Sequence, residues 1–136
     1  MAIKDGLVAA RGRDLPRDAA AQCVDANNQW LLPDMLDIHT HLNLEVEVAP
    51  ALEEVVRNGT TTVLVGNCSL GTCFGAQETD GQEPIVDCFT RVENIPKSVL
   101  RKCAETMTWD NPEEYLKHFE NLNLGPNIAA FVPHSM

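Results

Sequence analysis

The sequence Asp37-Ile38-His39-Thr40-His41 follows apolar residues at positions 30–33, 35 and 36 and predicts the carboxyl end of a buried β-strand. Successive side chains of a strand point to opposite faces, so Asp37, His39 and His41 are expected on the same face. Neutral imidazole is a favoured ligand of zinc, and two ligands held by one strand lose little entropy when the ion binds. The spacing therefore predicts His39 and His41 as metal ligands, with Asp37 deeper on that face, where it can orient an imidazole.

A His-x-His pair on an apolar strand also has a structural interpretation. Two histidines at these positions can form hydrogen bonds inside a protein core without binding a metal. The pair by itself is consistent with both interpretations.

The sequence after the histidines alternates between helix and strand patterns. Residues 50–58 begin with proline, carry two early glutamates and precede Gly59, which is the pattern of a short helix. Residues 60–66 form a continuous run rich in β-branched side chains, typical of a parallel strand buried on both faces. The order strand, helix, strand is expected.

The remaining chain continues this alternation. Residues 67–95 contain many turn-forming residues and predict a long connection with a short apolar segment at 85–89. Helices are expected over residues 97–107 and 111–121, and a third buried strand over 128–132. The predicted fold class is α/β: the first three strands and helices of a (β/α)8 barrel.

The first 32 residues predict a different kind of structure. Asp5-Gly6 lies between two short apolar runs and is a two-residue hairpin signal, and Asn27-Asn28 is a weaker one. Two hairpins alone are marginally stable, so we expect residues 1–32 to be part of a small β-domain. The predicted boundary places the barrel segment at residues 33–136.

Several chemically active side chains fall where the predicted parallel strands end. They are His39 and His41 after the first strand, Cys68 after the second and His134 after the third. In (β/α)8 barrels the chemistry lies at this end of the strands. A Cys68 thiolate beside the two imidazoles would suit a metal ion, but a free cysteine is also commonly a small buried apolar residue. Both interpretations of Cys68 stay open on position alone.

Composition excludes several classes of partner. The formal net charge is −10, and the ten basic residues are scattered, which argues against a nucleic-acid or an anionic-membrane surface as partner. No stretch approaches the roughly 20 apolar residues of a membrane helix, and the N-terminus lacks the pattern of a secretory signal. The five cysteines are irregularly spaced and predict reduced thiols. A cytoplasmic protein is expected.

Three segments resemble the opening of the amidohydrolase superfamily, specifically its D-aminoacylase (N-acyl-D-amino-acid deacylase) branch. These are residues 33–41, residues 58–63 and the Gly-Asn-Cys-Ser segment at 66–69. The His-x-His motif marks the whole superfamily, whereas the Gly-Asn-Cys motif is narrower. Most relatives bridge their metals with a carboxylated lysine, while D-aminoacylases use a cysteine, and this chain has no lysine between Lys4 and Lys97.

The resemblance implies a zinc-dependent hydrolase that cleaves the amide bond of N-acyl-D-amino acids. It implies one tightly bound Zn²⁺ and a second, weaker site, with His39 and His41 as ligands and Cys68 as the thiolate that holds the tight zinc and can bridge to the second. The expected small-molecule partner is an N-acyl amino acid. The positions expected to line the site or to orient its ligands are Asp37, Asn67, His134 and Ser135.

The chain also departs from the family pattern. Asp34 and Pro133 stand where the family usually has glycine, and Asn43 stands where many members have aspartate. The family's two later zinc histidines and its proton-transferring aspartate belong to later strands, so no catalytic residue is assigned within this chain. We therefore expect an N-terminal fragment that is inactive by itself.

Two other functions are consistent with the sequence. The first is a non-catalytic interaction module, because an open sheet of three parallel strands has unpaired edges and would tend to self-associate. The second is an amidohydrolase that opens cyclic amides, which would predict a lysine bridge. Cys68 argues against that second alternative.

Overall fold

The chain divides into two units, Met1–Pro33 and Asp34–Met136, and the computed structural model describes residues 1–134. Ser135, a predicted site residue, lies outside the described residues. The assignment of these units to a β-domain and to part of a hydrolase barrel stays a prediction.

The first unit contains one of the two predicted hairpins. Strands β1 (Ala2–Lys4) and β2 (Leu7–Ala10) pair antiparallel, and Asp5-Gly6 closes them with φ of 51° and 75°, as a tight hairpin turn requires. Asn27-Asn28 also adopts positive φ, but no strands flank it, so the second predicted hairpin is wrong. Its flanking apolar residues are exposed, Trp30 at 86%, and strand pairing without a buried face is marginal.

The second unit is built on a parallel sheet in the order β3 (Met35–Asp37), β4 (Thr60–Val65), β5 (Asn127–Ala130). Both strand pairs are parallel. The fold is therefore mixed α/β, consistent with part of an amidohydrolase domain. The sheet is open over the described residues, and the full barrel is not formed.

Helices connect these strands. Two short ones, α1 (Glu45–Val48) and α2 (Glu53–Arg57), lie between β3 and β4. Three longer ones, α3 (Pro84–Val92), α4 (Lys97–Ala104) and α5 (Pro112–Phe119), lie between β4 and β5. Across residues 1–134, no helix combines the length and the apolar character that crossing a membrane requires.

Helix α3 is an element that the sequence pattern did not predict as helical. It occupies part of the predicted connection 67–95, and Ile85, Val86 and Phe89 on one face of it are buried. The β-branched residues in this segment do not favour a helix, but Pro84 is well suited to the first turn and burial of the apolar face outweighs propensity. Helix α5 begins as predicted, after Asn111.

Two apolar clusters form the core of this unit. The first joins α3 and α4 to two loop residues and contains Leu44, Leu70, Ile85, Val86, Phe89, Leu100, Cys103 and Ala104. The second joins β4 to α5 and contains Val46, Leu52, Val63, Cys73, Trp109, Tyr115 and Phe119. Each cluster includes residues from the loops that follow β3 and β4, so both loops are anchored in the core.

The sheet is less buried than the sequence predicts. All three residues of β3 are exposed, so the prediction of a buried strand is wrong there. Strand β4, predicted to be buried on both faces, buries Val63 and Val65 on one face, whereas Thr62 and Leu64 on the other face are only half-buried. The reason is topological, because β3 is an edge strand and the helices cover one face of β4. Self-association through this edge stays a prediction.

Candidate metal centre

His39 and His41 lie in the loop after β3, since that strand ends at Asp37. Strand alternation is therefore not what aligns them, which corrects the predicted geometry. The loop is instead fixed to the end of β4 by Thr40, whose backbone N–H and hydroxyl both donate to the Leu64 carbonyl oxygen at 3.3 and 2.8 Å. A buried Thr40 thus anchors the segment between the two histidines.

Two asparagines extend this anchoring. The Asn67 side-chain amide donates to the carbonyl oxygens of Thr40 and Leu64, at 3.4 and 2.9 Å. The buried Asn43 accepts a hydrogen bond from the Gly66 N–H at 3.4 Å. Asn67, predicted as a residue lining the site, therefore connects the loops that follow the two strands, and its amide is committed to backbone oxygens.

The turn after β4 determines where Cys68 points. Gly66, Cys68 and Ser69 have φ of 86°, 54° and 61°, the left-handed region that non-glycine residues adopt at a cost of about 1–2 kcal/mol each. A Cβ at Gly66 would lie 2.8 Å from the Phe131 carbonyl oxygen, so glycine is required there. The Cys68 side chain is exposed, which rules out the interpretation of Cys68 as a small buried apolar residue.

The three predicted ligands converge. His39 Nε2 lies 3.3 Å from Cys68 Sγ, and the His39 and His41 ring centroids are 5.6 Å apart. One ligand atom from each of the three residues lies within 4.8 Å of the other two. Ligands of a tetrahedral zinc are about 3.3–3.7 Å apart, given bonds of about 2.0–2.3 Å. The cluster therefore fits a single zinc ion after small side-chain adjustments.

His41 is held differently from His39. Its Nδ1 is hydrogen-bonded to the Glu93 carboxylate, whereas its Nε2 is buried and has no hydrogen-bond partner among the described residues. In a neutral imidazole one nitrogen donates and the other carries a lone pair. With Nδ1 donating to Glu93, the lone pair is on Nε2. The unpartnered Nε2 therefore carries the lone pair that a metal ligand needs.

The alternative interpretation, two histidines hydrogen-bonded inside the core, does not match this arrangement. His39 is exposed and contacts Cys68, while the partly buried His41 pairs with a carboxylate from another element. Glu93 was not anticipated from the sequence. It lies 52 positions after His41 at the end of an unpredicted helix, and no motif marks it.

The other predicted site residues take different positions. Asp37 is exposed, and its carboxylate accepts a hydrogen bond from the His39 backbone N–H at 3.2 Å. It therefore orients the backbone of the loop, and its predicted role in orienting an imidazole stays a prediction. His134 is exposed in the turn after β5 and is not part of the three-residue cluster.

Comparison with known proteins gives matches along the whole chain and partial matches to named enzymes. The chain is 41% identical over 138 residues to a protein of Mycobacterium tuberculosis named as uncharacterized, which covers 99% of this chain and 22% of the relative. An adenine deaminase of Lactiplantibacillus plantarum is 30% identical over 101 residues, 69% of this chain and 18% of the enzyme. A dihydroorotase of Anaeromyxobacter sp. is 33% identical over 93 residues, 68% of this chain and 20% of the enzyme.

The chain thus spans about a fifth of the length of the curated relatives it matches. No protein-family model matches it, and no solved structure does. The partial similarities to a deaminase and a dihydroorotase support the amidohydrolase superfamily and a hydrolase. They do not single out the D-aminoacylase branch.

Proposed function

We propose that this chain carries the zinc-binding segment of a hydrolase that cleaves the amide bond of N-acyl-D-amino acids. The observation that carries the proposal is the convergence of two imidazoles and one thiol, from His39, His41 and Cys68, within 4.8 Å. Similarity to amidohydrolases supports the hydrolase, and the cysteine after the second parallel strand supports this branch through the resemblance described above.

The three side chains form a donor set suited to zinc. Zinc prefers nitrogen and sulfur ligands such as imidazole and thiolate, whereas magnesium and calcium prefer oxygen ligands. Three protein ligands are also characteristic of catalytic zinc sites, which keep one position for water or substrate. When bound there, zinc would polarise the substrate carbonyl and activate water. A second, weaker zinc bridged by Cys68 is part of the same proposal.

The site is open to a small substrate. His39 and Cys68 are exposed, and His41 is partly buried, so the cluster lies at the surface of the second unit. Every titratable group in this cluster serves as a metal ligand. No residue of the chain is therefore assigned the proton transfer that amide hydrolysis also requires.

Hydrolysis of a cyclic amide is a second candidate, favoured by the partial similarity to a dihydroorotase. The two candidates differ in the residue that bridges the metals, which is a cysteine in the first and a lysine in the second. The position of Cys68 beside His39 favours the first.

Metal binding by the 136-residue chain tests the site directly. Cobalt(II) should give a thiolate-to-metal charge-transfer band, and Cys68→Ser should abolish the band. The same substitution should weaken zinc binding by about 100-fold or more, because a hydroxyl is a much poorer zinc ligand than a thiolate. Cys88→Ser is the matched control, since Cys88 is also an exposed free cysteine but lies outside the cluster. Equal zinc affinity in wild type and Cys68→Ser would contradict the proposal.

Hydrolysis assays then test the substrate class. We expect the zinc-loaded 136-residue chain to leave N-acetyl-D-amino acids intact. Turnover by this chain would require a group that transfers protons, which would contradict the assignment of every titratable group in the cluster as a metal ligand. The longer Mycobacterium tuberculosis relative should hydrolyse N-acetyl-D-amino acids in preference to dihydroorotate. The reverse preference would favour the cyclic-amide candidate.

A further inference from the structure

We propose that Glu93 is a positioning residue that holds His41 in the tautomer whose Nε2 lone pair faces the metal. The inference rests on the proposed zinc site and extends it to an element outside the motif. It assigns a role in metal binding to the end of α3, in the connection between β4 and β5.

The hydrogen-bond pattern of His41 is the first observation. The Glu93 carboxylate has no proton to donate when ionised, so the contact requires Nδ1 to be the protonated nitrogen. The carboxylate also fixes the rotation of the ring. Metal-bound histidines in proteins usually donate their other ring N–H to such an acceptor, which orients the ring and increases its basicity.

The environment of the second nitrogen is the other observation. His41 Nε2 is withdrawn from solvent, and no donor or acceptor contacts it within residues 1–134. A buried polar atom without a partner costs about 1–3 kcal/mol, so such atoms are rare in folded proteins. A ring nitrogen of His41 lies within 4.8 Å of the ligand atoms of His39 and Cys68. A cation held by the three side chains would give the unpartnered Nε2 a partner.

The core explains how a carboxylate from a distant element reaches this position. Phe89, Val86 and Ile85 anchor α3 in the first cluster, and the Glu93 backbone N–H ends the helix by donating to the Phe89 carbonyl oxygen at 2.9 Å. The same cluster contains Leu44, three positions after His41. One packed unit therefore fixes both partners of the hydrogen bond.

The Glu93–His41 pair is also more sheltered than an ordinary surface ion pair. Its side chains are 27% and 25% exposed, whereas those of the Lys117–Glu113 pair on α5 are 63% and 77% exposed. Exposed pairs contribute little and break readily. The sheltered pair is better able to keep one ring orientation.

The tautomer of His41 can be measured in the metal-free wild-type chain without any substitution. Long-range ¹H–¹⁵N NMR correlations distinguish a protonated Nδ1 from a protonated Nε2, and His41→Gln assigns the signals. The inference predicts the Nδ1–H tautomer in wild type and loss of that preference in Glu93→Ala. A predominant Nε2–H tautomer in wild type would overturn it.

Zinc affinity is the second measurement, made by competition with a chromogenic chelator. Glu93→Ala should weaken zinc binding about 10–100-fold, the usual cost of removing a partner that orients a metal ligand. Glu93→Gln keeps an acceptor oxygen and should recover part of the loss. Glu113→Ala, which removes an exposed carboxylate outside the site, should leave the affinity unchanged.

The outcomes separate this inference from the metal site on which it rests. Tight zinc binding that depends on Cys68 but is unchanged in a folded Glu93→Ala chain would overturn the role of Glu93 alone. Absence of zinc binding by the wild-type chain would overturn both. Circular dichroism of each variant establishes that the fold is retained.

Discussion

Residues 34–134 of the second unit contain two histidine–carboxylate pairs in different environments. At the surface, His41 Nδ1 pairs with Glu93, and the two side chains are 25% and 27% exposed. Between α5 and α1, His118 Nε2 pairs with Glu47 at 2.8 Å, and these side chains are 20% and 1% exposed. The two histidines are similarly exposed, so the pairs differ in the carboxylate, which is partly exposed in Glu93 and buried in Glu47.

The surroundings of the buried pair explain its different role. The Trp109 ring lies against His118 with centroids 4.5 Å apart, and the Thr106 hydroxyl donates to the same Glu47 oxygen at 3.1 Å. No further cysteine or histidine joins this pair in a metal-sized group within the described residues. A histidine–carboxylate pair is therefore not a site by itself. The first pair differs from the second because His39 and Cys68 lie next to it.

Replacing the histidine of each pair should give the largest contrast. His118→Leu leaves the buried Glu47 carboxylate without its histidine partner, and we expect a loss of about 3 kcal/mol in the free energy of unfolding. His41→Leu should cost about 1 kcal/mol, because Glu93, at 27% exposure, stays partly hydrated after its partner is removed. Urea denaturation of the metal-free chains measures both values. Equal losses in the free energy of unfolding would contradict the difference in burial between the two carboxylates.

The single tyrosine reports on the interior around the buried pair. Burial raises the pKa of Tyr115 to about 12, the Thr72 hydroxyl opposes this by hydrogen bonding, and the Glu47 charge adds to the increase. Since the unfolded chain releases the phenolic proton near pH 10, the folded chain is stabilised below that pH and loses this stability between about pH 10 and 12.

Absorbance of the phenolate in a pH titration tests this directly. The native chain should ionise its tyrosine well above pH 10, and the stability of Tyr115→Phe should decline less steeply over that range. Ionisation of Tyr115 near pH 10 in a chain that is still folded would show that the interior under α5 is accessible to water.

The smallest expected effect concerns the strained turn after β4, next to the candidate metal site. Ser69 has φ of 61°, and glycine adopts this conformation without the steric cost. Ser69→Gly should therefore stabilise the chain by up to about 1 kcal/mol and leave zinc affinity unchanged. Ser98→Gly in the first turn of α4 is the matched control and should destabilise the chain, because glycine loses more conformational freedom on folding than any other residue. Urea denaturation compares the two variants, and a loss of stability in both would argue against strain at Ser69.

Local patterns in the sequence were sufficient for several features. The Asp5-Gly6 turn, the strand at Thr60–Val65 and the start of α5 at Asn111 follow from neighbouring residues, and each is present. The predicted ligands His39, His41 and Cys68 lie together. Helix α3 was not predicted, because its β-branched residues do not favour a helix and the burial of its apolar face depends on packing against α4.

The sequence by itself determined the α/β alternation and the positions of two histidines and a cysteine just after the parallel strands, because these features depend on short-range patterns. Only the tertiary structure decided that Glu93 meets His41, that Thr40 and Asn67 tie the two loops together, and that β3 is exposed. These contacts join residues far apart in the chain. They are set by the packing of α3 and by the edge position of β3, which no local pattern encodes.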